Sequence, residues 1–432
     1  MSTPNAKRVD IAWLTALPEE YEQVLRVDTG ALDDAWTEHP DGHHGRIIAE
    51  RRFRATDGHP LHIVTTWAAG MGGHSAAATA TQMLYAYQPR CIVLSGFAAG
   101  PRGKVNLGDV VFGRFVFTYD SGKITDGGYK GDPNTYRLDP HWRQRVEQLC
   151  ARQPQSLGDT SWLADRPLDL DWQASWILHC LHCGEDPWEH PDRLRDCPDW
   201  ALTVERLLDR KLVDDDLALT DVGRTSAKRK WQLNRARPEP RPAFKVHFGD
   251  IATGSAVRAD AGVFAQIHES MRKTMGLEME AAAVAAAAAE TWGVPALIAK
   301  GIGDFADATK DDRFHDFANR ASAECLMALL RQNADLLRDA SPNETPGEND
   351  PPAPAEPIPT DAFELRVWLQ ARYPLRAQAR KLAEEAGLPT HRIDLETGGM
   401  DVTWFNVIRE ASLCEGGVDR LRAAIARDRE RG

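Results

Sequence analysis

No apolar run in these 432 residues approaches the roughly 20 needed to span a bilayer, and the N-terminus lacks the basic-then-apolar layout of a signal peptide. The expectation is a cytoplasmic protein with no membrane contact. Cysteine is scarce: the chain has seven, an odd number thinly spread, which suits free thiols in a reducing compartment better than a disulfide framework. Positive charge is outnumbered, with 52 Lys and Arg against 64 Asp and Glu and a formal charge of −12. That balance argues against a general polyanion-binding surface and makes nucleic acid a poor partner. A local basic pocket for one phosphate chain stays open.

What is present is an ordinary globular composition, 42% hydrophobic, on a chain long enough for two or three folded units. Arg8 to Ala16 reads as a buried strand, and Leu17-Pro18-Glu19-Glu20 turns it into a helix, because proline suits a first helical turn. Leu61 to Trp67 is a second apolar run, followed by Gly70-Met-Gly-Gly73 and an alanine-rich helix through Tyr87. Cys91 to Ser95 then runs into Gly96-Phe-Ala-Ala-Gly100. The same grammar returns in Val110 to Tyr119, Lys245 to Ile251, a helix over Leu277 to Trp292, and a strand over Pro295 to Ile302. This alternation predicts an α/β fold, a mixed sheet with flanking helices, built from residues 8–124 and 243–337.

Between them, residues 125–242 break the pattern and read as an inserted, mainly helical region. Within it Ala201 to Leu212 is an amphipathic helix, and Leu212 to Gly223 suits a short hairpin, an arrangement like a winged helix. A scaffold or docking role fits at least as well as DNA reading, because Asp214 to Asp216 would set acid against phosphate. Residues 338–360, rich in Pro, Glu, Asn, Asp and Ala, read as a disordered linker. Residues 361–432 read as a small all-α domain, with helices over Phe363 to Tyr373, Ala377 to Ala386, Thr403 to Ser412 and Gly417 to Arg427.

The chemistry concentrates in Gly276-Leu-Glu-Met-Glu-Ala-Ala-Ala-Val284, where Glu278, Met279 and Glu280 sit at the start of an apolar helix. Taken alone, the two acids suit the positive end of a helix dipole. The next strand, however, ends at Gly303-Asp304-Phe305-Ala306-Asp307, and ligands of α/β sheets gather beyond the carboxyl ends of strands. Asp304 also suits an ordinary helix cap. Helix, strand and acid in that order favour a site.

Four motifs in order, Ala16-Leu-Pro-Glu-Glu20, Gly96-Phe-Ala-Ala-Gly100, Gly254-Ser-Ala-Val257 and Glu278-Met-Glu280 with Asp304, resemble the nucleoside phosphorylase and methylthioadenosine/adenosylhomocysteine nucleosidase superfamily. The flavour is that of nucleosidase-like domains attached to conflict-system proteins. The resemblance implies that Glu20 polarises the attacking water, Glu280 grips the ribose hydroxyls beside Met279, and Asp304 serves the purine N7. Cleavage builds positive charge on the sugar and negative charge on the base, so carboxylates should flank the sugar and an acid should meet the leaving group. Glu278, Phe97, Ala98, Val257, Arg258, Lys300 and Gly72 complete the substrate-binding set.

The arginines that hold phosphate in phosphorylases are replaced here by Pro18-Glu19 and Val93-Leu94-Ser95, so water is the expected nucleophile. Val257 stands where an aromatic stacks on adenine, Phe97 replaces a small residue and suits that stacking, and Lys300 replaces an arginine, keeping its charge without its planar fork. Arg102, Lys104, Arg258, Lys300, Lys310 and Arg313 would suit a 5′-phosphate chain or plain solvated surface. The expected function is hydrolysis of a purine nucleoside or nucleotide, with adenine the favoured base, as a defence effector. A nucleotide-binding sensor and a phosphorylase are the alternatives.

No cofactor and no metal are expected. His179, Cys180, Cys183, His190 and Cys197 offer soft ligands, but the second CxxC is missing and helical cysteines are more often small buried hydrophobes. The tryptophans Trp162, Trp172, Trp176, Trp188 and Trp200 read as core of the insertion. Leu382 to Pro389 and Trp404 to Ile408 resemble effector-associated domains, which implies a protein partner for the C-terminal bundle, and the superfamily resemblance implies a homo-oligomer.

Overall fold

The computed structural model describes residues 8–40, 45–125, 128–131, 133–153, 155–233, 240–256, 262–307, 312–339, 358, 365–366, 368–369, 372–373, 376–395 and 400–431. In chain order, the first half contains β1 (Ile11–Thr15), α1 (Pro18–Leu25), β2 (Thr37–Pro40), β3 (Ile47–Arg54), β4 (Pro60–Trp67), α2 (Gly73–Tyr87), β5 (Cys91–Leu94), β6 (Phe97–Ala99) and β7 (Val110–Thr118). A small hairpin of β8 (Gly122–Thr125) and β9 (Gly128–Gly131) leads to β10 (Thr135–Arg137) and α3 (Pro140–Ala151). Helices α4 (Leu170–Cys183), α5 (Arg193–Asp196), α6 (Trp200–Asp209) and α7 (Asp221–Leu233) follow. The chain then returns as β11 (Val246–Thr253), α8 (Val263–Ser270), β12 (Thr274–Glu278), α9 (Ala281–Ala286), β13 (Ala296–Asp304), α10 (His315–Gln332) and α11 (Ala334–Asp339).

Eleven strands form one sheet in the order β10-β7-β11-β12-β6-β13-β5-β1-β4-β3-β2. Strand β7 also pairs antiparallel with β13, so β7, β11, β12, β6 and β13 close into a ring. Strand β1 is buried at every position because parallel β4 and β5 cover its edges and packed layers cover its faces. Its side chains alternate: Ile11 and Trp13 enter the core shared with α3 and α10, while Ala12 and Leu14 enter the core shared with α2 and α9. Strands β1, β5, β13 and β6 run parallel, so their carboxyl ends share one edge.

Three expectations are corrected. Glu278 ends β12 rather than opening a helix, and α9 starts only at Ala281, because the Glu278 carboxylate accepts the N–H groups of Glu280 and Ala281 and turns the chain there. The insertion is shorter than residues 125–242: Trp142, Val146, Leu149, Leu157 and Trp162 pack into the main core. A separate core around Trp172, Trp176, Ile177, Leu207 and Val213 belongs to α4, α6 and α7. The hairpin after α6 is reduced to a single antiparallel bridge, Val213 with Leu219, because Leu217 adopts a left-handed conformation (φ 58°) that turns the chain at once.

Trp200 packs against that separate core, and the half-exposed Trp188 lies edge-on to it at 5.2 Å. The C-terminal helices Arg376–Glu385, Met400–Leu413 and Gly417–Arg431 share their own core of Leu382, Trp404, Val407, Ile408 and Leu421. The expected linker, apart from residues 338, 339 and 358, lies outside the described residues. All seven cysteines are free thiols, and no helix among the described residues is long and apolar enough to cross a membrane.

Candidate active site

A cleft of about 660 Å³, open mouth included, lies at the shared strand edge. Glu20, Met71, Phe97, Ala98, Glu278, Met279, Glu280 and Asp304 are among the residues that line it. Its size falls within the range of small-molecule sites. Sequence separations of up to 284 positions between these residues collapse because β1, β6, β12 and β13 all end here.

Glu20 sits in the first turn of α1 and is almost fully buried. Its Oε2 accepts from the backbone N–H of Ala16 (2.7 Å) and Leu17 (3.2 Å), and its Oε1 from that of Phe97 (3.2 Å). A carboxylate has about four acceptor directions, so one on Oε1 is left for a water. The carboxylate rests against Gly96, whose φ of +141° suits glycine and whose missing Cβ would lie 2.2 Å from Oε1. Burial pushes the Glu20 carboxyl above its usual range, against the pull of Lys300.

Glu278 and Glu280 differ sharply despite their adjacency. Glu278 Oε1 accepts from Thr253 Oγ1 (2.6 Å) and the Ala281 N–H (3.1 Å), and Oε2 from the N–H groups of Glu280 (3.0 Å) and Ala281 (2.9 Å). Lys300 Nζ stands 3.6 Å from Oε2. Its acceptor directions are committed to protein. Glu280 is bound at Oε1 by the Gly72 N–H (2.9 Å) of the glycine loop, and this carboxylate faces the cleft.

Lys300 is fully buried behind the glutamates rather than in the cleft wall. Burial alone would push its ammonium down, but Glu20, Glu278 and Glu280 outweigh burial and hold it above its usual range. Glu278 is likewise pushed up by burial. One cation thus serves three acids.

Asp304 also lines the cleft, its Oδ1 accepting the Ala306 N–H (2.8 Å). Beside it lies His315, which sequence reasoning missed: its Nε2 is 3.7 Å from Asp304 Oδ2, and its ring stacks on Phe97 with centroids 4.1 Å apart. Gly303 permits that approach, since a Cβ there would meet His315 at 2.8 Å and Phe97 at 3.1 Å. A histidine eleven residues past the acid carries no spacing signal, because no fixed separation pairs an acid at a strand end with a histidine at the start of the next helix. Phe97 therefore has one face occupied by an imidazole.

Val257, Arg258 and Lys310 lie outside the described residues. The other nominated cations are engaged away from the cleft. Arg102 bonds Asp307 (2.5 Å) and Asp171 (3.1 Å) and covers the Phe305 ring; Lys104 meets His268 and the Arg272 carbonyl; Arg313 bonds Asp199 (2.6 Å). Cys180, Glu185 and His190 approach one another in the insertion, but His190 Nδ1 accepts the Asp192 N–H (3.1 Å). A neutral imidazole then carries its proton on Nε2, which opposes metal binding there.

Residues 359–431 match effector-associated domain 1. An ATP nucleosidase, Cap17, from Escherichia coli (strain KTE188) is 27% identical over 310 residues, covering 72% of this chain and 48% of that protein. The uncharacterized protein y4jS of Sinorhizobium fredii is 23% identical over 261 residues, 59% of this chain and 45% of that one. The chain thus spans about half the length of the curated relatives it matches. The crystal structure of 5′-methylthioadenosine/S-adenosylhomocysteine nucleosidase from Neisseria meningitidis aligns with a TM-score of 0.44 and 16% identity, over 74% of this chain and 98% of that one. Residues 10–167 and 205–332 match the phosphorylase superfamily, and the chain belongs to it.

Proposed function

We propose that this chain hydrolyses the N-glycosidic bond of an adenine nucleotide or nucleoside, with ATP the first substrate to test, and that its C-terminal domain brings this activity to a protein partner. The observation that carries the reading is the asymmetry of the acids: Glu278 is saturated by protein donors, whereas Glu20 and Glu280 each keep acceptor capacity at the cleft, which Asp304 also lines.

In this mechanism Glu20 Oε1 takes a proton from the attacking water, its raised proton affinity suiting a base. Glu280 accepts the ribose hydroxyls and stabilises the positive sugar of the transition state. Asp304 gives a proton to the purine as its bond to C1′ breaks. Lys300 keeps the three buried glutamates from repelling one another. The described lining of the cleft contains no arginine to hold a phosphate nucleophile, which favours water. The name of the relative supports ATP, and the match to an effector-associated domain supports recruitment, which would raise local concentration at a partner assembly.

Incubation with adenosine, methylthioadenosine, AMP, ATP, inosine and guanine nucleotides, first without and then with inorganic phosphate, tests this by chromatography of free base. Adenine release without phosphate is expected. Release only with phosphate would make the chain a phosphorylase, and binding without release would make it a sensor.

A further inference from the structure

The environment of His315 carries an inference that deepens, and rests on, the hydrolytic reading above. Its Nε2 is shielded from solvent and has no hydrogen-bond partner among the described residues, a costly state for a buried polar atom. Among the described residues, the charged groups facing it are both acids: Asp304 Oδ2 at 3.7 Å from β13, and Asp312 Oδ1 at 3.5 Å from the turn before α10. Strand β6 offers the ring only the phenyl group of Phe97. Asp304 is nearly buried, whereas the Asp312 side chain is 77% exposed at the rim. The imidazole therefore stands between a sequestered carboxyl group and solvent.

Asp304 needs such a neighbour. Oδ1 accepts the Ala306 N–H and Oδ2 faces His315, so a proton passed from the imidazole to the leaving base travels through Oδ2. When the C1′–N bond breaks, its electron pair goes to the base and the Oδ2 proton follows it. Water adds its hydroxyl to C1′ and gives its proton to Glu20. Asp304 is left as a buried carboxylate, and Glu20 releases the water's proton to solvent, so one proton must be returned to Asp304 before the next turnover.

We propose that His315 is the positioning residue that loads the leaving-group acid: it holds a proton between Asp304 and Asp312 and returns it to Asp304 Oδ2 after each turnover. The neutral imidazole then regains a proton from water at the rim. The separations close to hydrogen-bond length when a purine fills the cleft, as catalytic contacts commonly do on substrate binding.

A single proton shared by two sites is held at least as tightly as by either site alone. Deleting the imidazole therefore moves the alkaline limb of the pH–rate profile toward acid. For His315→Gln the limb should shift by about one pH unit, with kcat at pH 8 falling on the order of tenfold, kcat at pH 6 within about twofold, and KM unchanged. Asp312→Asn, at an exposed position that does not threaten folding, should shift it the same way by about half a unit, because the imidazolium loses a nearby negative charge.

The measurement is kcat and KM for adenine release between pH 5 and 9 for the full chain and both variants. A wild-type chain that releases no base would defeat the hydrolytic reading itself. A wild-type chain that cleaves, with an Asp312→Asn profile superimposed on it, or a His315→Gln profile lowered uniformly without displacement, would overturn the role of His315 alone. Should His315→Gln fail to fold, the Asp312→Asn profile decides.

Discussion

The cleft and the inserted helices bury their polar groups for opposite ends. In the insertion, the buried Gln173 donates to the Leu168 carbonyl before its own helix and to Asp199, and accepts the Asp199 N–H, so the two bonds to Asp199 tie α4 to the start of α6 around a core of Trp172, Trp176 and Leu207. The buried Asp196 there is paired with Arg195 and Arg241. The cleft instead crowds Glu20, Glu278 and Glu280 around one buried lysine, with proton affinities of Glu20 and Glu278 raised by burial. Burying charge in that ratio is expensive and a well-packed apolar cluster would hold the strands together better. The difference teaches that the insertion is organised for stability, while the cleft sacrifices stability for chemistry.

The comparison is broken most severely by removing a catalytic carboxylate. Asp304→Asn or Glu20→Gln should lower the rate of base release by about 10²–10⁴-fold, with circular dichroism and the melting curve little changed. A rate within a few-fold of wild type would remove that residue from the mechanism. Gly96→Ala comes next: the methyl would occupy the place of the Glu20 carboxylate, and displacement of about 1 Å should cost about 100-fold in kcat. An unaffected kcat would show that the Glu20 position is not critical.

Lys300→Met sharpens the same contrast through pH. Removing one partner of a buried ionic cluster costs about 3–5 kcal/mol. The raised carboxyl groups of Glu20 and Glu278 favour the folded state fully below their unfolded pKa, and that contribution is lost as pH rises through their folded values. The raised Lys300 persists as a cation until pH exceeds its own elevated value, so it offsets this loss across the neutral range. The variant should therefore melt close to wild type at pH 5, where the glutamates can take up protons, and well below it at pH 8. A penalty independent of pH would mean that the lysine acts only by packing.

Leu207→Ala, in the core of the insertion, should destabilise that region by about 2–5 kcal/mol while adenine release at low temperature stays within about twofold. A selective loss of kcat would make the insertion part of the catalytic device. The smallest effect belongs to Trp188→Ala: the half-exposed ring should contribute less than about 1 kcal/mol by thermal melting.

Most of the α/β order was legible because buried parallel strands leave apolar runs, as in Ile11–Thr15 and Cys91–Leu94. Glu20, Glu280 and Asp304 were legible because each acid directly follows or opens an apolar element. Strand β3, second from the sheet edge, was not, since Ile-Ile-Ala-Glu-Arg-Arg-Phe-Arg reads as polar. Its Arg51 is buried only because Asp28 and the carbonyls of Val27 and Asp33 converge on it from elsewhere in the chain. The engagement of Arg102 and Arg313 was hidden for the same reason, their partners Asp171 and Asp199 lying in the insertion. His315 illustrates the limit best: nothing in Asp312-Arg-Phe-His315 distinguishes a helix-start histidine from one that reaches back to the acid.

The central claim is tested most directly by running ATP cleavage in phosphate-free H₂¹⁸O and analysing both products by mass spectrometry, for the wild-type chain and Glu20→Gln. The account predicts free adenine from the wild type, one ¹⁸O at C1 of the ribose triphosphate, and almost no product from the variant. Unlabelled sugar product, or adenine release from Glu20→Gln at the wild-type rate, would contradict it.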